Sequence, residues 1–220
     1  MAISDPTTTA AQRSAKRRRA RARRGEGPLL RDEILTATER LLLRTGSAQA
    51  VSIRDVADAV GVTPPSIYRH FQDKDSLIAE VSAQHFAAFD AELAAAIVGV
   101  EDPVDILVAI GRAYMRFGLA NPEPYRILFM TRPENIPDDF QQAFFQKARP
   151  FLDLVAACQA CIDAGRLRPH YTDALRVALG LWARVHGLTS LALSKPFLPL
   201  GDQDFVDEYA DACLRGIVAE

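Results

Sequence analysis

The chain has 220 residues, with 26 Lys plus Arg against 28 Asp plus Glu and a formal net charge of −2. Its apolar fraction of 49% is ample for a packed core, and its three cysteines are too few for a disulfide scaffold. No run approaches the roughly 20 apolar residues of a membrane-spanning helix, and the basic N-terminus lacks the apolar stretch of a signal peptide, so a cytoplasmic protein without membrane association is expected.

The near-neutral total conceals a split. Residues 1–28 hold eight basic and two acidic residues, a charge of +6, while residues 29–220 hold 18 basic and 26 acidic, a charge of −8. From Arg13 to Arg24 eight of twelve residues are basic, with alanine between them and no apolar period. Such a segment cannot bury enough surface to offset its ordering entropy, which predicts a disordered basic tail over 1–28. Three readings of the tail stay open: a solvated segment without a role, an arm on DNA acting by counterion release, or a nuclear localisation signal.

From Leu29 the pattern becomes helical. Leu30, Ile34, Ala37 and Leu41 recur at helical spacing, and Gly46 ends this first helix. Ser52 is placed to cap a short helix carrying Val56, Ala57 and Val60, which Gly61 stops. Thr63 is placed to cap the next, with proline at its first position. Asp73 opens a long helix bearing Leu77, Val81, Phe86, Phe89, Leu93 and Ile97, closed by Gly99 and Pro103. Further helices are predicted over 104–120, 122–131, 138–164 (kinked or divided at Pro150), 173–195 and 202–218. No alternating run of strand length occurs. The predicted class is all-α with about nine helices.

Residues 52–71 have the spacing of a helix-turn-helix. Ala57 is the small residue that a close helix crossing needs, Gly61 fits the sharp turn, and Ile67 and Phe71 form an apolar inner face. Pro65, Ser66, Arg69 and His70 are then left facing outward, where a recognition helix meets base edges and phosphates. An ordinary helical hairpin would show the same pattern. Lys74 adds information, because a cation in the first turn of a helix is disfavoured by roughly 0.3–1 kcal/mol. A reach to phosphate, shared with Tyr68 and His70, would explain it.

The segment from Val62 to Leu77 carries Tyr-x-His-Phe-x-x-Lys-x-x-Leu and resembles the tetracycline-repressor (TetR) family of bacterial one-component regulators, over about Leu29 to Val81. The resemblance implies an N-terminal DNA-binding head in which the arginine matching Arg54 reaches DNA. Residues matching Pro65, Ser66 and Arg69 face the major groove, and those matching Tyr68, His70 and Lys74 hold phosphates. Thr63 completes the DNA-binding set. Many members carry Lys-Gly or a similar pair where this chain has Pro64-Pro65, and Arg69 is the one obvious guanine-binding side chain.

Helix 173–195 is apolar almost all round, which predicts burial on most sides. Gly180, Ala183, Gly187, Ser190 and Ser194 form a seam of small residues suited to close helix approach, plausible across a two-fold axis. About a third of a turn away, Trp182, His186, Thr189 and Leu193 set a polar spot in an apolar wall, as in small-molecule pockets. Leu181 to Leu191 also resembles the Trp-x-x-x-His-Gly signature of one C-terminal subclass of the same family, and Asn121 to Met130 and Ala164 to Leu167 fit it too. That subclass implies a homodimer through helices 173–195 and 202–218 and a core that binds a small-molecule effector. Phe86, Phe89, Tyr114, Phe117, Tyr125, Phe129, Trp182, His186 and Thr189 are the candidate ligand contacts, with plain core packing as the alternative for each.

No cofactor or metal is expected. Cys158-Gln-Ala-Cys161 lies within a helix rather than at a strand-to-helix turn, and His170 is the only histidine near enough to join a zinc set. The expected organisation is a basic tail (1–28), a DNA-binding head (29–75) and a ligand-binding and dimerisation body (76–220). Its expected function is that of a dimeric repressor of a palindromic double-stranded DNA operator, released by a small, largely apolar effector. Two alternatives are an enzyme using His186 with Thr189 or Cys158, and a sequence-nonspecific DNA-binding protein acting through its tail.

Overall fold

Single residues decide where the helices start and stop. The computed structural model describes residues 27–130 and 148–219, and among these it contains nine helices and no strand. They are α1 (Gly27–Thr45), α2 (Ile53–Val60), α3 (Pro64–Tyr68), α4 (Lys74–Ala96), α5 (Pro103–Ala120), α6 (Pro122–Phe129), α7 (Arg149–Asp163), α8 (Ala174–Ser194) and α9 (Gln203–Arg215). Ser52 Oγ accepts the Asp55 N–H at 3.1 Å and starts α2, and Gly61 ends it in the left-handed region at φ +77°. Asp73 and Ser76 form a reciprocal capping box at α4. Asp102, Asp173 and Asp202 cap α5, α8 and α9 through their side chains alone, which accept from backbone N–H groups of the first turn.

Some sequence expectations change. Thr63 occupies the cap position of α3 but caps no backbone N–H; its hydroxyl lies 3.2 Å from that of Ser66 instead. Pro150 stands in the first turn of α7, where its missing N–H costs nothing; of the two expectations, a kink or a division, the start of α7 at Arg149 agrees with a division. The final helix stops at Arg215, and the chain beyond it makes one antiparallel bridge, Leu167 with Val218. The sequence predicts a disordered tail over 1–28, but α1 already begins at Gly27; residues 1–26 and the 138–147 portion of the predicted helix 138–164 lie outside the described residues.

The buried side chains form two cores. The first joins α1, α2, α3 and the start of α4 through Ile34, Leu42, Val56, Ile67 and Leu77. The second joins the rest of α4 to α5, α7, α8 and α9. Helix α6 belongs to both: its Ile127 is buried in the first core, and its Tyr125, wholly buried, in the second. Only Asn121 separates α5 from α6, and the Asn121 amide donates to the Phe117 carbonyl at 3.1 Å, so the joint is short and tied.

Helix α8 departs from the expectation of burial on most sides. Ala178, Leu181, Val185 and Leu188 face the core, while Leu175, Leu179, Gly180, Ala183 and Leu191 are exposed, because no described element of the same chain lies over that arc. On the covered side α8 approaches α5 closely at Gly118. A β-carbon there would overlap the Thr189 methyl and come within 2.9 Å of the Tyr125 ring. Gly118→Ala is therefore expected to destabilise the fold by about 1–3 kcal/mol, as overpacking does, read as a lower midpoint in urea unfolding. A midpoint equal to wild type would show that the crossing is slack.

Candidate functional site

The DNA-reading candidates occupy one end of the first core. Val56 and Ala57 on α2 and Ile67 and Phe71 after the turn are buried, which leaves the opposite face outward. On that face Arg54, Thr63, Pro65, Tyr68 and Arg69 are exposed, and Ser66 and His70 half-buried. Arg69 lies just past the last residue of α3 and reaches the Ser66 hydroxyl at 3.4 Å.

Lys74 is placed differently from its sequence rationale. Its ammonium donates to the Ala48 carbonyl at 3.2 Å, so the cation at the start of α4 already has an acceptor within the chain and pins the α1–α2 loop. Sequence reasoning also missed Arg31. Its guanidinium pairs with Glu80 and lies over the Phe71 ring, 5.1 Å from the centroid, tying α1 to α4 across the end of the motif. Glu39 and His85 make a second tie between the same helices at 3.2 Å.

The second core contains a cavity of about 540 Å³ between α4, α5, α6, α7, α8 and α9. Of the nine candidate ligand contacts, Phe86, Phe89, Tyr114, Phe129, Trp182 and His186 line it. Phe117, Tyr125 and Thr189 do not. Phe117 packs edge-on behind Phe89, with ring centroids 5.1 Å apart, and the Thr189 hydroxyl donates to the Val185 carbonyl of its own helix at 2.8 Å. Aliphatic residues missing from the candidate set complete the wall, among them Leu93, Leu107, Ile110 and Leu154. The spacing of 107, 110, 111 and 114 is one helical stripe that period alone could have marked.

The hydroxyls beside His186 come from two tyrosines rather than from Thr189. Tyr125 Oη lies 2.7 Å and Tyr114 Oη 3.0 Å from Nδ1, with the two phenol oxygens 3.3 Å apart. Trp182 Nε1–H donates to Tyr114 Oη at 3.2 Å, and Ser190, a member of the small-residue seam, stands 3.5 Å from Nε2. Burial pushes both phenols above their ordinary pKa and holds His186 below its own, so the cluster is neutral at physiological pH. Neither Thr189 nor Cys158 hydrogen-bonds to His186. Cys158, Cys161 and Cys213 are all buried free thiols, with Cys158 pushed up to about 12 and Cys161 to about 11, mainly by burial.

Two family models match the chain: one described as bacterial regulatory proteins, tetR family, over residues 34–81, and one described as tetracyclin repressor-like, C-terminal domain, over 107–217. Among solved structures the chain is similar to a protein of unknown function from Rhodococcus sp. RHA1 (25% identity, TM-score 0.66, covering 86% of this chain and 96% of that one). It is also similar to NalD, the secondary repressor of the MexAB-OprM multidrug efflux pump in Pseudomonas aeruginosa (22%, 0.65, 90% and 100%). A third is SmeT, the repressor of the Stenotrophomonas maltophilia multidrug efflux pump SmeDEF (23%, 0.61, 86% and 91%). No curated protein matches the sequence.

The depressed His186 pKa has a consequence for stability. The unfolded chain takes up a proton near pH 6.5, where the folded chain does not. This contribution is therefore intact above that value and is lost as pH falls toward the folded pKa. The thermal unfolding midpoint should drop between pH 7 and 5.5, and His186→Gln should drop less over the same interval. Equal declines would assign the acid sensitivity to other groups.

Proposed function

Because the chain belongs to the TetR family of bacterial regulatory proteins, we propose that it is a dimeric repressor whose grip on a palindromic operator is released by a small, largely apolar molecule. The head, residues 29–75, reads DNA through the outward face of α2 and α3, with Arg69 the guanine reader and Arg54, Thr63, Pro65 and Ser66 beside it in the groove. Tyr68, His70 and Lys74 contact phosphates. The body, residues 76–220, holds the effector in the cavity and pairs with a second copy through α8 and α9. Two heads spaced about 34–36 Å apart would enter successive major grooves. The fold likeness to NalD and SmeT, both described as efflux-pump repressors, supports the repressor sense. Among the described residues His186 has phenols and no carboxylate beside it, the surroundings of a binding group rather than those of an activated base.

One observation carries the coupling: α6 is an eight-residue helix with Tyr125 against the cavity wall and Ile127 inside the head core. A ligand that favours a different seat for Tyr125 biases the seat of Ile127, and with it the head spacing, by population shift. No described helix is long and apolar enough to cross a membrane.

The direct test is an electrophoretic shift on the DNA upstream of the protein's own gene. Wild type should prefer that DNA over random sequence by about 10³-fold or more. Arg69→Ala should relax the preference, whereas Lys74→Ala should weaken binding to all sequences and lower the salt slope by about 1. Unchanged affinity in both would refute the head assignment.

The seam on α8 gives a second test. Added β-carbons at Gly180 and Gly187 meet nothing within 4 Å in the single chain, so Gly180→Leu and Gly187→Leu should keep wild-type helix content. Against a second copy they would clash. Sedimentation should show monomers for these variants where wild type is a dimer, and dimers of both would move the interface elsewhere.

A further inference from the structure

The cavity is large for its few polar groups, and their hydrogen-bond accounting is uneven. None of the described residues that line it is Asp, Glu, Lys or Arg. The polar wall is Trp182, Tyr114 and His186, with Tyr125 immediately behind. Trp182 can only donate, so its indole N–H fixes Tyr114 Oη as an acceptor in that direction. The remaining question is where the Tyr114 hydrogen goes.

Both histidine tautomers give the same answer. If Nδ1 is the acceptor, it takes one phenol hydrogen: either that of Tyr125 at 2.7 Å, leaving Tyr114 only a share, or that of Tyr114 at 3.0 Å, with Tyr125 turned to the His186 carbonyl at 3.4 Å. If Nδ1 carries the hydrogen, it donates to Tyr125 Oη, and among the described residues Tyr114 is left with the Tyr125 hydroxyl at 3.3 Å. An O–H···O bond prefers about 2.7–2.8 Å. One phenol hydrogen of the pair is thus left with a bond of 3.3–3.4 Å, and Tyr114 is the phenol that lines the cavity.

We propose that the cavity selects an uncharged, largely apolar molecule carrying one acceptor oxygen, a ketone or similar carbonyl, which takes the hydrogen of the Tyr114 hydroxyl. This rests on reading the cavity as the effector site. Against the described lining, a carboxylate would meet no cation and an ammonium no anion, so each would lose hydration there without replacement. The carbonyl draws the Tyr114 hydrogen away from Tyr125 and His186, and Tyr125 belongs to α6, whose Leu128 and Phe129 line the cavity directly. Ligand chemistry and coupling therefore meet at one proton position.

The test uses the full chain and its single tryptophan, Trp182, as the fluorescent reporter on the cavity wall. Four probes of one shape are titrated: 4-cyclohexylcyclohexanone, bicyclohexyl, 4-cyclohexylcyclohexanecarboxylate and 4-cyclohexylcyclohexylammonium. The ketone should bind about 3- to 10-fold more tightly than the hydrocarbon, the gain of one neutral hydrogen bond, and both ions should bind more weakly than the hydrocarbon. Tyr114→Phe should erase the ketone's advantage and leave hydrocarbon binding in place. The infrared carbonyl band of the ketone, bound to wild type, should lie below its position in cyclohexane, a readout that holds even if the variant folds poorly. A ketone that does not bind, an ion that equals it, an advantage that survives Tyr114→Phe or an unshifted carbonyl band would each overturn the proposal. Ketone preference without any change in operator binding supports this ligand chemistry while refuting the effector reading.

Discussion

The close approach of three helices at Gly118 is the constraint on which the rest of the structure depends. With a hydrogen in place of a side chain, α5 lets the Thr189 methyl of α8 and the Tyr125 ring of α6 come into contact with its backbone. That contact sets how far Tyr125 reaches across the core, and so brings its hydroxyl to 2.7 Å from His186. It also fixes the angle at which α6 leaves the one-residue joint at Asn121, which aims Ile127 into the core of the head. One missing β-carbon thus determines both the polar wall of the cavity and the seat of the helix joining it to the head.

The head itself works against its proposed partner. Residues 29–88 hold six basic and eight acidic residues, so the segment repels a polyanion on average. Two of its cations are also engaged within the fold: Arg31 with Glu80 and the face of Phe71, Lys74 with the Ala48 carbonyl. Arg54 and Arg69, exposed on the reading face, stand out from the general field. If the proposed function holds, affinity would come from placed contacts, with the +6 of residues 1–28 as a further source, in contrast to a head that is basic throughout. Such an arrangement favours sequence preference over loose association, because contacts that depend on geometry are lost off-site while a diffuse field is not.

The helices were legible because their ends are written in single residues. Ser52, Gly61, Asp73 and Pro103 act within one turn of themselves, and local chemistry needs no tertiary information. The helix-turn-helix was legible for a related reason, since Ala57, Gly61, Ile67 and Phe71 meet across a few residues. The cavity was legible only as a collection of aromatics. Which of them line it depends on crossings between helices far apart in sequence: Phe117 lies behind Phe89, and Thr189 turns its hydroxyl to its own backbone, for reasons no period contains. Lys74 shows the converse failure. Its position looked costly because the Ala48 carbonyl, 26 residues away, could not be seen from the sequence.

The polar wall also separates affinity from response. Without a ligand the Trp182–Tyr114–His186–Tyr125 cluster nearly satisfies itself, so an entering carbonyl exchanges one imperfect hydrogen bond for a better one, a gain on the order of 1 kcal/mol. Burial of apolar surface against Phe86, Phe89 and the leucines of the wall contributes more, at roughly 25 cal/mol per Å². Apolar burial that is equal in both seats of α6 shifts nothing, however tightly it binds. The exchange at Tyr114 differs, because it alters what holds Tyr125. Coupling free energies in such systems run about 1–3 kcal/mol, the scale of one or two hydrogen bonds and well below that of the whole contact surface. On the proposal above, a hydrocarbon whose contacts with Leu128 and Phe129 of α6 are equal in both seats would fill the cavity and leave the head where it was, whereas a molecule of the same shape with one oxygen in the right place would move it.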